Sequence, residues 1–371
     1  VASQGFVLSV KCFGGLSVMN TYYLKVAGKD ECTAGVKAPD DITKLLDRRG
    51  YKPIPFLDNK RYKSTFLTEI AGRAVNLINW AMAFVRIKVN SILFIQYPYR
   101  ISAAAWHGIR YLKKMKKTTI ILLLHDVDSI RQYNINRNEK RERIFGLADY
   151  LICHNESMED YLVGKGIQRE RLYILGVFDY LCEKEPESNI VSEEELEKAV
   201  IIAGNLGKRK SPYIYKLLES EREYTVNLYG PNYEPNGFVK NAAYKGCFPP
   251  DELPDMLQGT FGLVWDGDET NTCVGATGNY LRYNNPHKVS LYLASGIPVI
   301  IWKKAALAQY IEDNGLGIAV ESLTEINNIF GDITAQAYRE MKYNVVKEGY
   351  RIRNGFYFDR VMDWIEKEIG L

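Results

Sequence analysis

Residues 283–302 read Tyr-Asn-Asn-Pro-His-Lys-Val-Ser-Leu-Tyr-Leu-Ala-Ser-Gly-Ile-Pro-Val-Ile-Ile-Trp. The order is that of a polar loop, a short helix, a Gly-Ile-Pro turn and a buried strand. Pro286 suits the first helical position, where its missing N–H costs nothing, and Asn285 suits the cap, because a residue before proline is pushed to extended angles. Gly296 can take the left-handed conformation that ends a helix, and Pro298 keeps the helix out of Val299, Ile300 and Ile301. A helix opening on Asn284, Asn285, His287 and Lys288 offers amides, a favourable dipole end and a cation, a set that suits a phosphate. The same residues also make an ordinary αβ unit with a solvated lysine, so alone the stretch leaves both readings open.

The alternation of apolar run and helical pattern extends outward from this stretch. Strands are expected at 199–203, 225–229, 243–246, 261–265 and 317–320, with helices near 213–220, 251–257 and 305–313. Earlier in the chain, 6–10, 52–56, 91–97, 118–124, 150–153 and 172–177 read as strands, and 11–38 as a long loop. A helix should open at Pro39, with Asp40 and Asp41 in its first turn and Gly50 after its end, and others should cover 64–86, 103–115, 139–147 and 157–163. Continuous apolar strands spaced by helices imply parallel sheets covered on both faces. Between Cys182 and Lys198 the composition turns acidic and polar, which marks a domain boundary. The expected organisation is therefore a Rossmann-like domain over 1–181, a linker over 182–198, a second such domain over 199–348, and a terminal segment, 349–371. The last helix, near 356–369, carries Phe358, Val361, Met362, Ile365 and Ile369 on one face and can cross back to the first domain. Two doubly wound domains in tandem leave a cleft between the carboxyl ends of their strands, where open α/β sheets bind ligands.

Composition narrows the function classes. The chain is 371 residues long, 46% apolar and 25% charged, the balance of a soluble globular protein. Its net charge of +3 gives no global polycation that would point to nucleic acid. The charge is locally uneven: Arg110, Lys113, Lys114, Lys116 and Lys117 form one basic run, and Lys208, Arg209 and Lys210 another. The first is either a solvated helix end or a peripheral contact for an anionic membrane surface. Six scattered cysteines without a C-x-x-C pair argue against zinc and for a reducing compartment. With no apolar run of spanning length and no signal-peptide order at the start, a cytoplasmic protein is expected, able to sit at the inner face of the membrane. Asn155-Glu156-Ser157 matches a glycosylation acceptor, but its place between a strand and a helix favours capping.

Neither G-x-G-x-x-G nor a complete Walker A loop follows any strand, so a dinucleotide dehydrogenase or P-loop enzyme is poorly supported. Gly204-Asn205-Leu206-Gly207-Lys208-Arg209-Lys210-Ser211-Pro212 instead opens a helix with three cations at the same sheet edge as Lys288, and two basic loops on one cleft suit a phosphate. The run 266–285 has no periodic apolar pattern, and so long a connection inside a compact domain is usually functional. Asp266 and Asp268 read either as a metal-binding D-x-D or, with no third ligand nearby, as a turn whose carboxylates meet sugar hydroxyls or water. His125, Asp126 and Asp128 follow the strand 118–124 into the cleft. They suit a general base with its orienting partner, or a cap on the next segment.

Assembled, these residues resemble the two-domain GT-B glycosyltransferases, above all the bacterial β-1,6-galactofuranosyltransferases of O-antigen synthesis and the glucosyltransferases that extend GlcNAc on serine-rich-repeat adhesins. The resemblance rests on 34–41, 125–131, 203–206 and 263–268, and is strongest over 280–300. It implies transfer of a hexose, galactofuranose first and glucose second, from a UDP-sugar donor to a glycan or lipid-linked glycan acceptor in surface polysaccharide or glycoprotein synthesis. No cofactor and no metal are then expected, and a homo-oligomer is the expected assembly. The second domain would hold the nucleotide and the first the acceptor. Lys288 with Lys208 or Lys210 would neutralise the leaving diphosphate, with Asn205 in the same loop. Asn284 and Asn285 would bond phosphate or ribose, Phe248 would line the base pocket, and the loop with Gly35 and Lys37 would close over the donor. An inverting transfer needs a base, for which Asp126 ranks before His125 and Asp128. The E-x7-E pair of many retaining relatives is replaced by Asn284 and Leu291, and the arginine of their G-R-L-x-x-x-K loop by Asn205, which weakens a retaining reading. The alternatives are a catalytically silent GT-B partner subunit and a nucleotide-sugar epimerase of the same fold.

Overall fold

The computed structural model describes residues 19–26, 34–57, 66–98, 104–131, 141–183, 196–235 and 240–371. The strand expected at 6–10 and most of the linker expected at 182–198 lie outside them. Among the described residues, two six-stranded parallel sheets organise the chain. The first contains β1 (Thr21–Val26), β2 (Lys52–Phe56), β3 (Ile92–Tyr97), β4 (Thr119–Leu124), β5 (Tyr150–Cys153) and β6 (Leu172–Ile174), in the order β2-β1-β3-β4-β5-β6. The second contains β7 (Ala199–Ala203), β8 (Thr225–Tyr229), β9 (Ala242–Gly246), β10 (Phe261–Val264), β11 (Val299–Trp302) and β12 (Gly317–Val320), in the order β12-β11-β10-β7-β8-β9. Among the described residues no helix is long and apolar enough to cross a membrane.

Period-two alternation sorts each strand between two cores. On the first sheet, Tyr23, Phe94, Ile121 and Ile152 face α1 (Ala34–Arg48) and a core continuous with the second sheet. Tyr22, Leu93, Ile95, Ile120 and Leu122 face a separate core beneath α2 (Phe66–Arg86), α3 (Ala105–Lys116) and α4 (Glu156–Gly164). Asn155 caps α4 by accepting from the Met158 amide at 3.0 Å, as the capping reading of that site requires. The second sheet carries α5 (Pro212–Glu219), α6 (Leu253–Met256), α7 (Gly275–Tyr280), α8 (His287–Ala294), α9 (Ala308–Asp313) and α10 (Ile326–Asp332).

Several local expectations are corrected. The stretch read as a loop contains β1, whose aromatic residues pair with both β2 and β3 although polar residues flank them. Helix α1 starts five residues before Pro39. Proline there forfeits one backbone bond, and Lys37 holds the first turn instead: its Nζ donates to Asp41 at 2.8 Å, the Leu181 carbonyl at 2.7 Å and Asp251 at 2.7 Å. The helix expected over 139–147 is a 3-10 turn, Arg143–Leu147, over its later part. The aperiodic run 266–285 contains α7. Helix α8 begins at His287 with Pro286 in the cap position, because Asn285 is engaged elsewhere.

The chain ends in α11 (Ala335–Asn354) and α12 (Phe356–Ile369), which meet at Gly355. Gly355 has φ +86°, and a Cβ there would stand 2.3 Å from the Leu45 side chain, so this corner needs glycine. Helix α12 lies on the first domain. Phe358 meets Phe94 edge-to-face at 5.6 Å. Buried Asp179 accepts from the amides of Tyr357 at 3.2 Å and Phe358 at 2.8 Å, satisfying two donors at the helix start. Arg49, at the end of α1, reaches Asp359 at 2.9 Å, Asp363 at 2.6 Å and Glu366 at 2.5 Å. Arg49→Ala should therefore lower unfolding stability by about 2–3 kcal/mol, the scale of charge-assisted bonds lost from a mostly buried guanidinium. Urea unfolding measures this; a change no larger than that of a surface substitution would show that the clamp contributes nothing.

Candidate active site

The carboxyl ends of both sheets open on one cleft of about 500 Å³. On its first-domain wall, β4 runs out into His125, whose backbone amide donates to the Tyr97 carbonyl at 2.7 Å. The side-chain amide of Gln96 donates to the Pro39 carbonyl at 3.1 Å and to Thr43 Oγ1 at 3.3 Å, which turns its oxygen toward His125. His125 Nε2 lies 2.7 Å from that oxygen and must be the donor, so Nδ1 carries the lone pair. Burial, with His154 and His287 nearby, lowers the His125 pKa to about 3, and the ring is neutral. Asp126 stands beside it. Burial raises its pKa while the Arg131 guanidinium, 2.7 Å away, opposes that rise. Arg131 in turn lies over the Tyr280 ring at 4.5 Å, and the Tyr280 hydroxyl accepts from the Val127 amide at 2.9 Å. The second domain thus closes on the loop that carries Asp126.

The opposite wall is built from the loops after β7 and β8 and from the start of α8. Asn205 Oδ1 accepts from the Gly207 amide at 3.0 Å and shapes the turn into α5. A Cβ on Gly230 would stand 1.8 Å from the Gly204 carbonyl, so these two loops touch only because of glycine. Lys210 and Phe248 line the cleft, as do Gly35, Asn284 and Lys288. Asn284 Oδ1 is buried there with no hydrogen-bond partner among the described residues. Lys288 Nζ donates to the Trp265 carbonyl at 3.0 Å and pairs with Asp266 at 3.3 Å.

Other expected site residues lie elsewhere. Lys208 faces the Tyr215 ring at 5.1 Å, and neither it, Asp128 nor exposed Asp268 is part of the cleft wall. Lys37, only 3% exposed, is a buried strut between the domains rather than a loop cation over the cleft. Asn285 lines the cleft but is committed to the domain junction. Its amide donates to His154 Nδ1 at 3.0 Å, its side-chain NH2 to the carbonyls of His154 at 3.0 Å and Gly176 at 2.7 Å, and its oxygen accepts from Asn155 at 2.6 Å. Sequence reasoning assigned no role to Gln96, Arg131, His154 or Tyr280. A glutamine inside an otherwise apolar strand was the one available signal, since a buried amide needs partners. Among the described residues no group of three or more His, Cys, Asp or Glu is placed to hold a metal ion.

Two facing parallel α/β sheets with a charged cleft at their carboxyl ends, closed by a terminal helix crossing back, define a GT-B glycosyltransferase. Solved structures share the fold: sucrose-phosphate synthase from Thermosynechococcus elongatus matches with TM-score 0.65 and 10% identity over 95% of this chain and 99% of that one. Anabaena HepE, solved in complex with UDP, matches with TM-score 0.61 and 12% identity over 94% and 100%. The chain belongs to the glucosyltransferase 3-like family, whose N-terminal domain model matches residues 19–177 and whose C-terminal domain model matches 200–365. It is 33% identical over 299 residues to the β-1,6-galactofuranosyltransferase WbbI of Escherichia coli, covering 79% of this chain and 84% of the relative. It is 25% identical over 334 residues to glucosyltransferase 3 of Streptococcus gordonii, covering 88% and 92%.

The junction should be acid-sensitive in a defined direction. Burial lowers the His154 pKa to about 4 from 6.5, so between those values the unfolded chain binds the proton and the folded chain does not. The stability contributed by neutral His154 is present above pH 6.5 and falls by about 1.4 kcal/mol per unit as pH drops toward 4. The stability difference between wild type and His154→Asn should therefore be flat above pH 6.5 and shrink below it. Urea unfolding across that range measures the difference; a constant gap would mean that His154 is not held neutral.

Proposed function

We propose that this enzyme transfers a hexose from a UDP-sugar to a glycan acceptor, with inversion and without a metal ion. What carries the reading is the pairing across one cleft of a cationic donor wall, Lys288 and Lys210, with a carboxylate beside an arginine, Asp126. The diphosphate leaving group would take its charge neutralisation from the two lysines, and the unpaired Asn284 oxygen suits a ribose hydroxyl donor. In the transfer, Asp126 accepts the proton of an acceptor hydroxyl. That oxygen forms the bond to the anomeric carbon, and the anomeric C–O bond breaks with its electron pair leaving on UDP. Asp126 is chosen over His125 because Arg131 orients its carboxylate and keeps it ionised while burial raises its basicity, whereas burial makes His125 a weak base with Nε2 tied to Gln96. Galactofuranose is the first donor and glucose the second, after the sugars for which the E. coli and S. gordonii relatives are named. A glycan or lipid-linked glycan of the cell surface is the acceptor class.

UDP should raise the melting temperature, and Lys288→Ala should remove most of that shift. The absence of any shift with nucleoside diphosphates would sink the donor assignment. Asp126→Asn should keep the UDP shift but lower turnover by roughly 10²–10⁴-fold, with EDTA leaving wild-type turnover unchanged. Mass spectrometry of products from UDP-galactofuranose and UDP-glucose incubations reads the transfer. Nucleotide binding without transfer to any acceptor would favour a silent partner subunit, and a new sugar nucleotide formed without acceptor would favour an epimerase.

A further inference from the structure

Helix α2 is apolar on two sides. Trp80, Ala83 and Ile87 bury one side in the first-domain core. The other side presents Ile70, Leu77, Ile78 and Val85, which recur at helical spacing, and Leu77 and Val85 are 72% and 79% exposed. Tyr111 and Met115 of the neighbouring α3 extend the patch, each more than half exposed. A helix apolar all round is normally covered on all sides.

The charge around the patch selects the cover. Residues 70–98 and 104–117 contain eight Lys and Arg and no acid, a local charge of +8. Since the whole chain sums to +3, the remainder is −5. Two of these cations are used internally: Lys113 pairs with Asp149 at 2.5 Å, and Lys116 donates to the carbonyls of Phe84 and Ile87 at the end of α2. Arg73, Arg86, Lys88, Arg110, Lys114 and Lys117 are exposed. A second copy meeting this face through its own would set like charges against each other. An anionic bilayer surface accepts apolar side chains at its interface and attracts the cations around them.

We propose that the outer face of α2 and α3 docks on an anionic lipid bilayer, with Leu77 and Val85 entering the interface and Lys114 and Lys117 among the cations that meet lipid phosphates. The full-length protein should sediment with vesicles of phosphatidylcholine and phosphatidylglycerol in equal parts, but not with phosphatidylcholine alone, and added salt should weaken the binding. Leu77→Asp/Val85→Asp and Lys114→Glu/Lys117→Glu, all at exposed positions, should each lower the vesicle partition coefficient by about tenfold or more while leaving the melting temperature and UDP binding unchanged. No sedimentation with anionic vesicles, or equal binding by both variants and wild type, overturns the proposal. Light scattering supplies the competing outcome: a wild-type dimer that Leu77→Asp/Val85→Asp dissolves, without vesicle binding, would make this face a contact between copies.

Discussion

The cleft depends on the hydrogen bond from the Asn285 amide to His154 Nδ1. It requires a neutral imidazole, since the protonated ring has no acceptor there, and burial supplies that condition. Nε2 of the same ring lies 2.9 Å from the Leu124 carbonyl, so one histidine ties the end of β4, the end of β5 and the entry to α8 together. Those three points carry His125, Asn155 and Lys288. The separation between the candidate base and the candidate donor lysine is therefore set by a buried junction rather than by the surface loops around it.

Two further struts join the halves, both using buried carboxyl groups. Lys37 and Asp41 are buried together, and burial holds Asp41 up to about 6 despite the lysine beside it. Asp179 caps α12 in trans and is pushed up to about 8 by burial against the pull of two amides. A buried ion pair contributes little net stability compared with apolar packing, but leaving one partner alone is costly, so such pairs act chiefly to define position. Here the Lys37 pair fixes how the second domain meets the first, and the hydrogen bonds of Asp179 fix where the terminal helix lies. They do so on the α1 face of the first sheet, and among the described residues nothing covers the outer face of α2 and α3.

The alternating framework was legible because strands buried on both faces read as continuous apolar runs, and the strongest resemblance, over 280–300, covers α8 and reaches the start of β11. The elements that were missed have weak local signals. β1 is a short aromatic run whose strand character comes from pairing on both sides, and α7, Gly-Ala-Thr-Gly-Asn-Tyr, has no periodic apolar face. The chemistry was legible by residue type but not by orientation. Asn285 looked like a cap and a ligand-binding residue because the sequence does not reveal that His154 lies opposite it. Lys37 looked like a loop cation because Asp251, its acceptor 2.7 Å away, is 214 positions later in the chain. Gln96, Arg131 and Tyr280 could be assigned only after the fold had brought them to Asp126 and His125.

On the proposed reading, the donor wall holds its lysine in a contact that a phosphate can replace. Lys288 is 19% exposed and Asp266 25%, and their 3.3 Å contact is longer than a strong charge-assisted bond. On the proposed reading, a diphosphate oxygen would displace this carboxylate at little cost, because a partly solvated ion pair contributes little. It would also bring more acceptor atoms and more charge than one aspartate. Asp266 would then be freed toward the donor's sugar hydroxyls. On that reading the pairing would link loading of the phosphate end to the residue expected to meet the sugar, and a diphosphate without its sugar would leave Asp266 short of a partner.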